Sequence, residues 1–188
     1  MSSALNEVVS SDLEELILVN SQDENVGTRP KRECHLGQGE LHRAFSVFIF
    51  NAAGEVLLQQ RTAQKFLWPL YWSNACCSHP RAGEDSEDAA HRRLAQELGI
   101  SVPLTYLYKF EYHAQYQNIG SEHELCWFWI GFAEAKDISP NSNEVANWRF
   151  FSREELDKEL SQNPDSYTPW MKMEWERIFK DHQDLLNR

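Results

Sequence analysis

One stretch of this 188-residue chain marks both of its own ends, and it narrows what the rest can fold into. Glu84, Asp85, Glu87 and Asp88 crowd the start of Asp85–Leu98 and Gly99 follows its end. Acid first and glycine last is the asymmetry of a helix. The flanking chain reads as strands. Glu15–Asn20 is a short one. His42–Phe50 is aromatic and β-branched, Asn51-Ala-Ala-Gly54 turns, and Glu55–Arg61 continues, which predicts a β-hairpin. Leu104–Gln117 and His123–Ala133, rich in Tyr, Phe and Trp, are separated by Asn118-Ile-Gly120, and Val145–Phe151 is a further strand. Ser152-Arg-Glu-Glu155 is a capping box, and Thr168-Pro169 opens a helix predicted to run to about Leu186. Strands, a helix, more strands and then helices argue for an α+β fold. Residues 21–40 are dense in turn formers and read as a long, functional loop.

Composition bounds the function. The chain suits one domain, 1–188, with enough apolar residues for a sizeable core and no run long enough to span a membrane. Its start, MSSALNEVVSSDLEEL, is acidic and predicts no secretory signal. Against 29 Asp and Glu stand 18 Lys and Arg, a net charge of −11, so nucleic acid and anionic membranes are poor partners. An anionic ligand would need a local basic cluster. Cys34, Cys76, Cys77 and Cys126 are too few for a disulfide scaffold and read as reduced thiols of a cytoplasmic protein.

No dinucleotide fingerprint, phosphate-binding P-loop or nucleophile elbow is present. Four constellations carry chemistry. His35, His42 and His79 with the i,i+2 pair Glu122 and Glu124 would suit a divalent transition ion, because neighbouring carboxylates repel unless a cation lies between them. In Asn74-Ala-Cys-Cys-Ser-His-Pro80 a thiol lies two residues from an imidazole, as nucleophile, proton carrier or metal ligand. Arg93 and Glu97 share a helix face, either as a surface ion pair or as anion and metal holders, with Lys31, Arg61 and Lys65 as further cations. Trp68, Trp72, Trp127, Trp129 and Trp170 are candidates to line an apolar pocket whose ring faces could stabilise a carbocation.

The run Ser78-x5-Glu84-x7-Arg92-Arg93-Leu94-Ala95-Gln96-Glu97-Leu98-Gly99-Ile100 resembles a degenerate Nudix box. Ser78 replaces its first glycine, and Arg93 and Gln96 replace two of its glutamates. Those carboxylates gather the metals that activate water in Nudix hydrolases, so their loss argues against hydrolysis. With Cys-x-His-Pro at 77–80, His-x6-His at 35–42, Glu-x-Glu at 122–124 and Thr-Pro-Trp-Met at 168–171, the chain is similar to the type 1 isopentenyl diphosphate isomerases from about Lys31 to Trp170.

The resemblance implies a Nudix-like mixed β-sheet sandwiched between helices, with an additional N-terminal strand and C-terminal helices. Its core would span about 42–152, an extension 1–41 would carry metal and diphosphate ligands, and 153–188 would hold the C-terminal helices. It implies a transition-metal site, Mn²⁺ or Zn²⁺, on His35, His42, His79, Glu122 and Glu124. Glu97 and the Cys77 main-chain carbonyl would hold Mg²⁺. Lys31, Arg61, Lys65 and Arg93 would bind the diphosphate. Cys77 and Glu124 would exchange the protons, with Tyr112 assisting and Trp170 facing the cation. The partner would be a small molecule, isopentenyl or dimethylallyl diphosphate, and the protein a monomer or weak dimer. Two alternatives stay open: a Nudix diphosphohydrolase, and a zinc-stabilised binding module built on the Cys/His cluster.

Overall fold

The structure, a computed structural model, describes residues 7–182. Its hub is β3 (His42–Phe50). One edge of β3 runs parallel to β8 (Gly120–Phe132) in unbroken register from His42↔Glu124 to Phe50↔Phe132. The other edge is shared by three antiparallel partners. β1 (Glu15–Val19) meets it at His42, β6 (Cys76–Ser78) at Phe45–Val47, and β4 (Val56–Arg61) at Ile49 and Phe50. The sheet widens through β2 (Asn25–Pro30) on β1, β7 (Thr105–Tyr116) on β8, and β5 (Trp72–Asn74) and β9 (Val145–Phe151) on β4.

Alternation along β3 sets the layers. Phe45, Val47 and Ile49 join Ala89, Ala90, Leu94 and Leu98 of α2 (Ser86–Leu98) on one face. Ala44, Phe48 and Phe50 join Leu156 of α3 (Arg153–Gln162) and Trp170, Met171, Trp175 and Ile178 of α4 (Pro169–Asp181) on the other. A strand buried on both faces must be apolar at nearly every position, which is why Ala44–Phe50 is apolar everywhere but at Ser46. Each large side chain fully removed from water stabilises the fold by roughly 1.5–3 kcal/mol. The expected α+β, helix-sandwiched mixed sheet is the observed one.

The ends of α2 are as read: the Asp85 side chain accepts from the Glu87 N–H, and Gly99 closes the helix with φ 69°. The aromatic pair 104–117 and 123–133 is the long hairpin β7/β8. Three expectations change. Residues 21–40 are not a loop throughout; they contain β2 and the four-residue helix α1 (Lys31–Cys34). β2 is largely exposed and lacks apolar alternation, so its order comes from backbone pairing to β1 rather than from a readable pattern. The hairpin of 42–61 closes through only two pairs, Ile49↔Leu57 and Phe50↔Val56, before β6 takes over the β3 edge. β5 and β6 appear where the sequence suggested only a motif, because three-residue strands show no period. Beyond 182, the predicted run of the last helix lies outside the described residues.

Candidate active site and metal centre

The β3/β8 ladder seats His42 directly beside Glu124, and the i,i+2 spacing puts Glu122 on the same face. Gly120 brings in the next ligand. A Cβ there would sit 2.1 Å from the His35 carbonyl oxygen, so only glycine lets the segment after α1 lie against β8, where the Ser121 N–H donates to that carbonyl. The end of β6 delivers His79. The three imidazole centroids stand 4.8–5.1 Å apart. One potential ligand atom from each of His35, His42, His79, Glu122 and Glu124 lies within 4.8 Å of all the others, and all five residues are buried.

The backbone orients two of these rings. His35 Nδ1 lies 2.6 Å from the Lys31 carbonyl and His42 Nδ1 2.7 Å from that of Glu40, so Nδ1 carries the proton and Nε2 faces the cluster. Burial, then the charge of His35, holds the His42 imidazole down at about 3. Burial followed by His42 and His35 lowers His79 as well. Burial would raise Glu122, but the charge and hydrogen bond of His35 overcome it and hold its carboxyl at about 2. Burial and the neighbouring Glu122 push Glu124 upward. Among the described residues, the buried His42 Nε2 has no hydrogen-bond partner. Two imidazoles held unprotonated, at His42 and His79, an unpartnered nitrogen and two crowded carboxyls fit a divalent transition cation.

Strand alternation separates the adjacent cysteines. Cys76 is fully buried against α2, whereas Cys77 faces a cavity of about 340 Å³. Cys77 Sγ lies 2.8 Å from Asn74 Oδ1 and 3.1 Å from Trp170 Nε1. Burial raises the Cys77 thiol, and Glu174 adds to the rise only when it is ionised. In the same cavity, the Tyr112 hydroxyl donates to Glu124 Oε2 at 2.5 Å. Burial and Glu124 keep that phenol protonated. The Trp170 ring, 6.3 Å from the Tyr112 ring, links the thiol side to the carboxyl side.

Lys31, Arg61, Lys65 and Arg93 line the cavity too. Lys31 Nζ donates to Ser10 Oγ at 2.7 Å. Burial, with repulsion from Lys65 and Arg93, lowers Lys31 to about 8. Arg61 donates to the carbonyls of Trp68 and Leu67, which pins the 62–70 loop. Lys65 pairs with Glu144. Arg93 reaches the Val9 carbonyl at 2.7 Å and Glu97 Oε1 at 2.5 Å. Gln59 donates to the other oxygen of Glu97 at 2.9 Å. His42 and Glu97 stand behind the cavity wall, and the other sequence-derived site residues open onto it.

Of the five candidate tryptophans, only Trp170 lines the cavity. Trp68 packs edge-on behind it, with centroids 5.2 Å apart. Trp72 packs on Phe151, and Trp127 and Trp129 pack with Tyr106 on the α2 face of β8, opposite Glu122 and Glu124. Sequence reasoning missed Asn74, Ser46 and Ser73 around the thiol, Gln59 beside Glu97, and Glu144 between Lys65 and Arg93. Asn74 lay inside a flagged motif. The others are ordinary polar residues that only pairing in space singles out.

Residues 40–171 match the NUDIX domain family. A protein of Photorhabdus laumondii named isopentenyl-diphosphate Delta-isomerase 1 is 41% identical over 176 residues, covering 93% of this chain and 99% of its own. One of Nocardia farcinica named isopentenyl-diphosphate Delta-isomerase is 44% identical, covering 82% and 88%. The chain belongs to the isopentenyl-diphosphate Delta-isomerase family. In this chain Arg93 bonds Glu97, and Gln96 accepts from Arg92 at 3.3 Å. The fold extends to more distant proteins. A crystal structure from Deinococcus radiodurans superposes with a TM-score of 0.65 at 19% identity, over 80% of this chain and 90% of that one. A MutT NUDIX hydrolase from Burkholderia pseudomallei gives 0.58 at 18%, over 74% and 98%.

Proposed function

We infer that this protein interconverts isopentenyl and dimethylallyl diphosphate by adding a proton to one carbon and removing one from another. One observation carries the reading. The Cys77 thiol and the Tyr112-bonded Glu124 carboxyl open onto a single cavity that four cationic side chains also line. Moving the double bond forms a C–H bond at the terminal CH₂ and breaks one at C2, through a tertiary carbocation. An alkene is a very weak base, so the acid must be positioned and water excluded. Glu124, with Tyr112, donates to the CH₂; Cys77 accepts the proton from C2 and must enter in its base form. The two roles exchange in the reverse direction. The Trp170 ring lies beside both groups and faces the developing cation.

Lys31, Arg61, Lys65 and Arg93 anchor the diphosphate, whose binding energy orients the five-carbon tail. His35, His42, His79, Glu122 and Glu124 would hold Mn²⁺ or Zn²⁺, which withdraws charge from Glu124 when bound. Glu97 and the Cys77 carbonyl would hold Mg²⁺, which would offset the charge of the diphosphate. We place the activity in the cytoplasm. A hydrolytic reading loses ground because Arg93 and Gln96 stand where metal-gathering carboxylates would be.

The deciding experiment follows isopentenyl diphosphate by NMR in D₂O with purified protein. Deuterated dimethylallyl diphosphate is expected. Released phosphate with no isomer would overturn the reading.

A further inference from the structure

Behind the Cys77 sulfur lies a carboxyl that the chemistry above leaves unused. Glu174, one turn after Trp170 on α4, is 0% exposed. Its Oε2 is 2.7 Å from Ser46 Oγ, and its Oε1 accepts from Cys126 Sγ at 3.8 Å. Among the described residues, no lysine, arginine or histidine pairs with it. Ser46 is the β3 register partner of Cys77. Its Oγ accepts from Asn74 Nδ2 at 2.8 Å and lies 3.7 Å from Cys77 Sγ.

A hydroxyl has one proton to place. An ionised Glu174 would claim the Ser46 proton. A protonated Glu174 instead donates to Ser46 Oγ, and the Ser46 proton is free to point at the sulfur. Burial pushes the Glu174 carboxyl up to about 8, against the lowering pull of Ser46 and Cys126. At neutral pH the acid form prevails.

We propose that Glu174 is a positioning residue for the thiol: acting through Ser46, it turns a hydroxyl proton toward Cys77 Sγ and gives the sulfur a second hydrogen-bond donor beside Trp170 Nε1. No covalent bond is made to Glu174 and no proton leaves the network; O–H···O and O–H···S contacts only reorient. The sulfur then has two donors while it is in its base form, before it takes the proton from C2. This rests on the isomerase reading.

The test measures kcat, KM and melting temperature for wild type, Glu174→Gln, Glu174→Met, Ser46→Ala and the Ser46→Ala/Glu174→Met double variant. Methionine fills the volume but offers no donor, and its kcat should fall roughly 10- to 100-fold with KM within about twofold. Glutamine, whose amide N–H can replace the acid O–H, should stay within about threefold of wild type. Ser46→Ala should fall like the methionine variant, and the double variant no further, since one pathway is broken once. Methionine and alanine variants within twofold of wild type would overturn the proposal. So would a glutamine variant as slow as methionine, a loss carried by KM, or losses that multiply. Should Glu174→Met not fold, Ser46→Ala and Glu174→Gln decide by the same limits. Wild type that does not isomerise sinks the parent reading; active wild type with indifferent variants sinks only this one.

Discussion

Cys76 and Cys77 are neighbours in sequence but face opposite sides of the sheet, so one substitution should mean different things at the two positions. Cys77→Ala removes a sulfur from the cavity and should abolish turnover. Cys76→Ala removes a side chain packed against α2, and should lower stability by about 1 kcal/mol while turnover persists. Parallel melts and rate measurements check this, and equal activity of both variants would end the thiol's role. Glu124→Gln keeps the shape and removes the transferable proton. The rate should drop about 10²- to 10⁴-fold, and a loss under tenfold would contradict its part in proton transfer.

Among the elements, the contact of β8 with the segment after α1 is the one that brings the candidate metal ligands together. Gly120→Ala would drive a methyl into the His35 carbonyl, which has no room to retreat while it accepts from Ser121. A stability loss of about 1–3 kcal/mol is expected, with Mn²⁺ binding weakened beyond that of a surface control. Unchanged metal affinity by titration calorimetry would show that His35 is positioned some other way. The same contact shows what could be read in advance. α2, the β7/β8 hairpin and the shared face of Glu122 and Glu124 were legible because caps, alternation and i,i+2 spacing are local properties, whereas grouping them with His35, His42 and His79 took the family resemblance. The approach of Gly120 to His35, the edge shared by β1, β6 and β4, and the Glu174–Ser46 pair join residues far apart in sequence, and no local pattern announces them. β2 was invisible for a different reason: it buries almost nothing.

Taken whole, the molecule draws its five candidate metal ligands from β3, β8 and the residues just after α1 and β6, so a bound cation would tie the N-terminal segment to the central sheet. Chelation should inactivate reversibly and lower the melting temperature. Readdition of Mn²⁺ or Zn²⁺ at a hundred times Kd should restore roughly 2.7 kcal/mol. A melting temperature indifferent to chelator would remove the metal from the architecture. Acid–base linkage gives a second global test. Glu174 is raised from 4.5 to about 8 on folding, so its contribution is greatest below 4.5 and is lost as pH rises towards 8. Denaturant titrations of wild type and Glu174→Gln should therefore diverge by about 3–4 kcal/mol between pH 5 and 8, wild type losing ground. Parallel pH profiles would refute the raised carboxyl.

The nine-rung ladder between β3 and β8 has a consequence for how this sequence can change over time. Slipping it by one rung would turn every inward β3 side chain outward. His42 would exchange places with Arg43, and the phenylalanines stacked beneath it would trade layers in the same stroke. Losing or gaining a single codon between His42 and Phe50 should thus extinguish chemistry and stability together, whereas the same indel in the solvent-facing Asn51–Gly54 turn leaves both a way to survive.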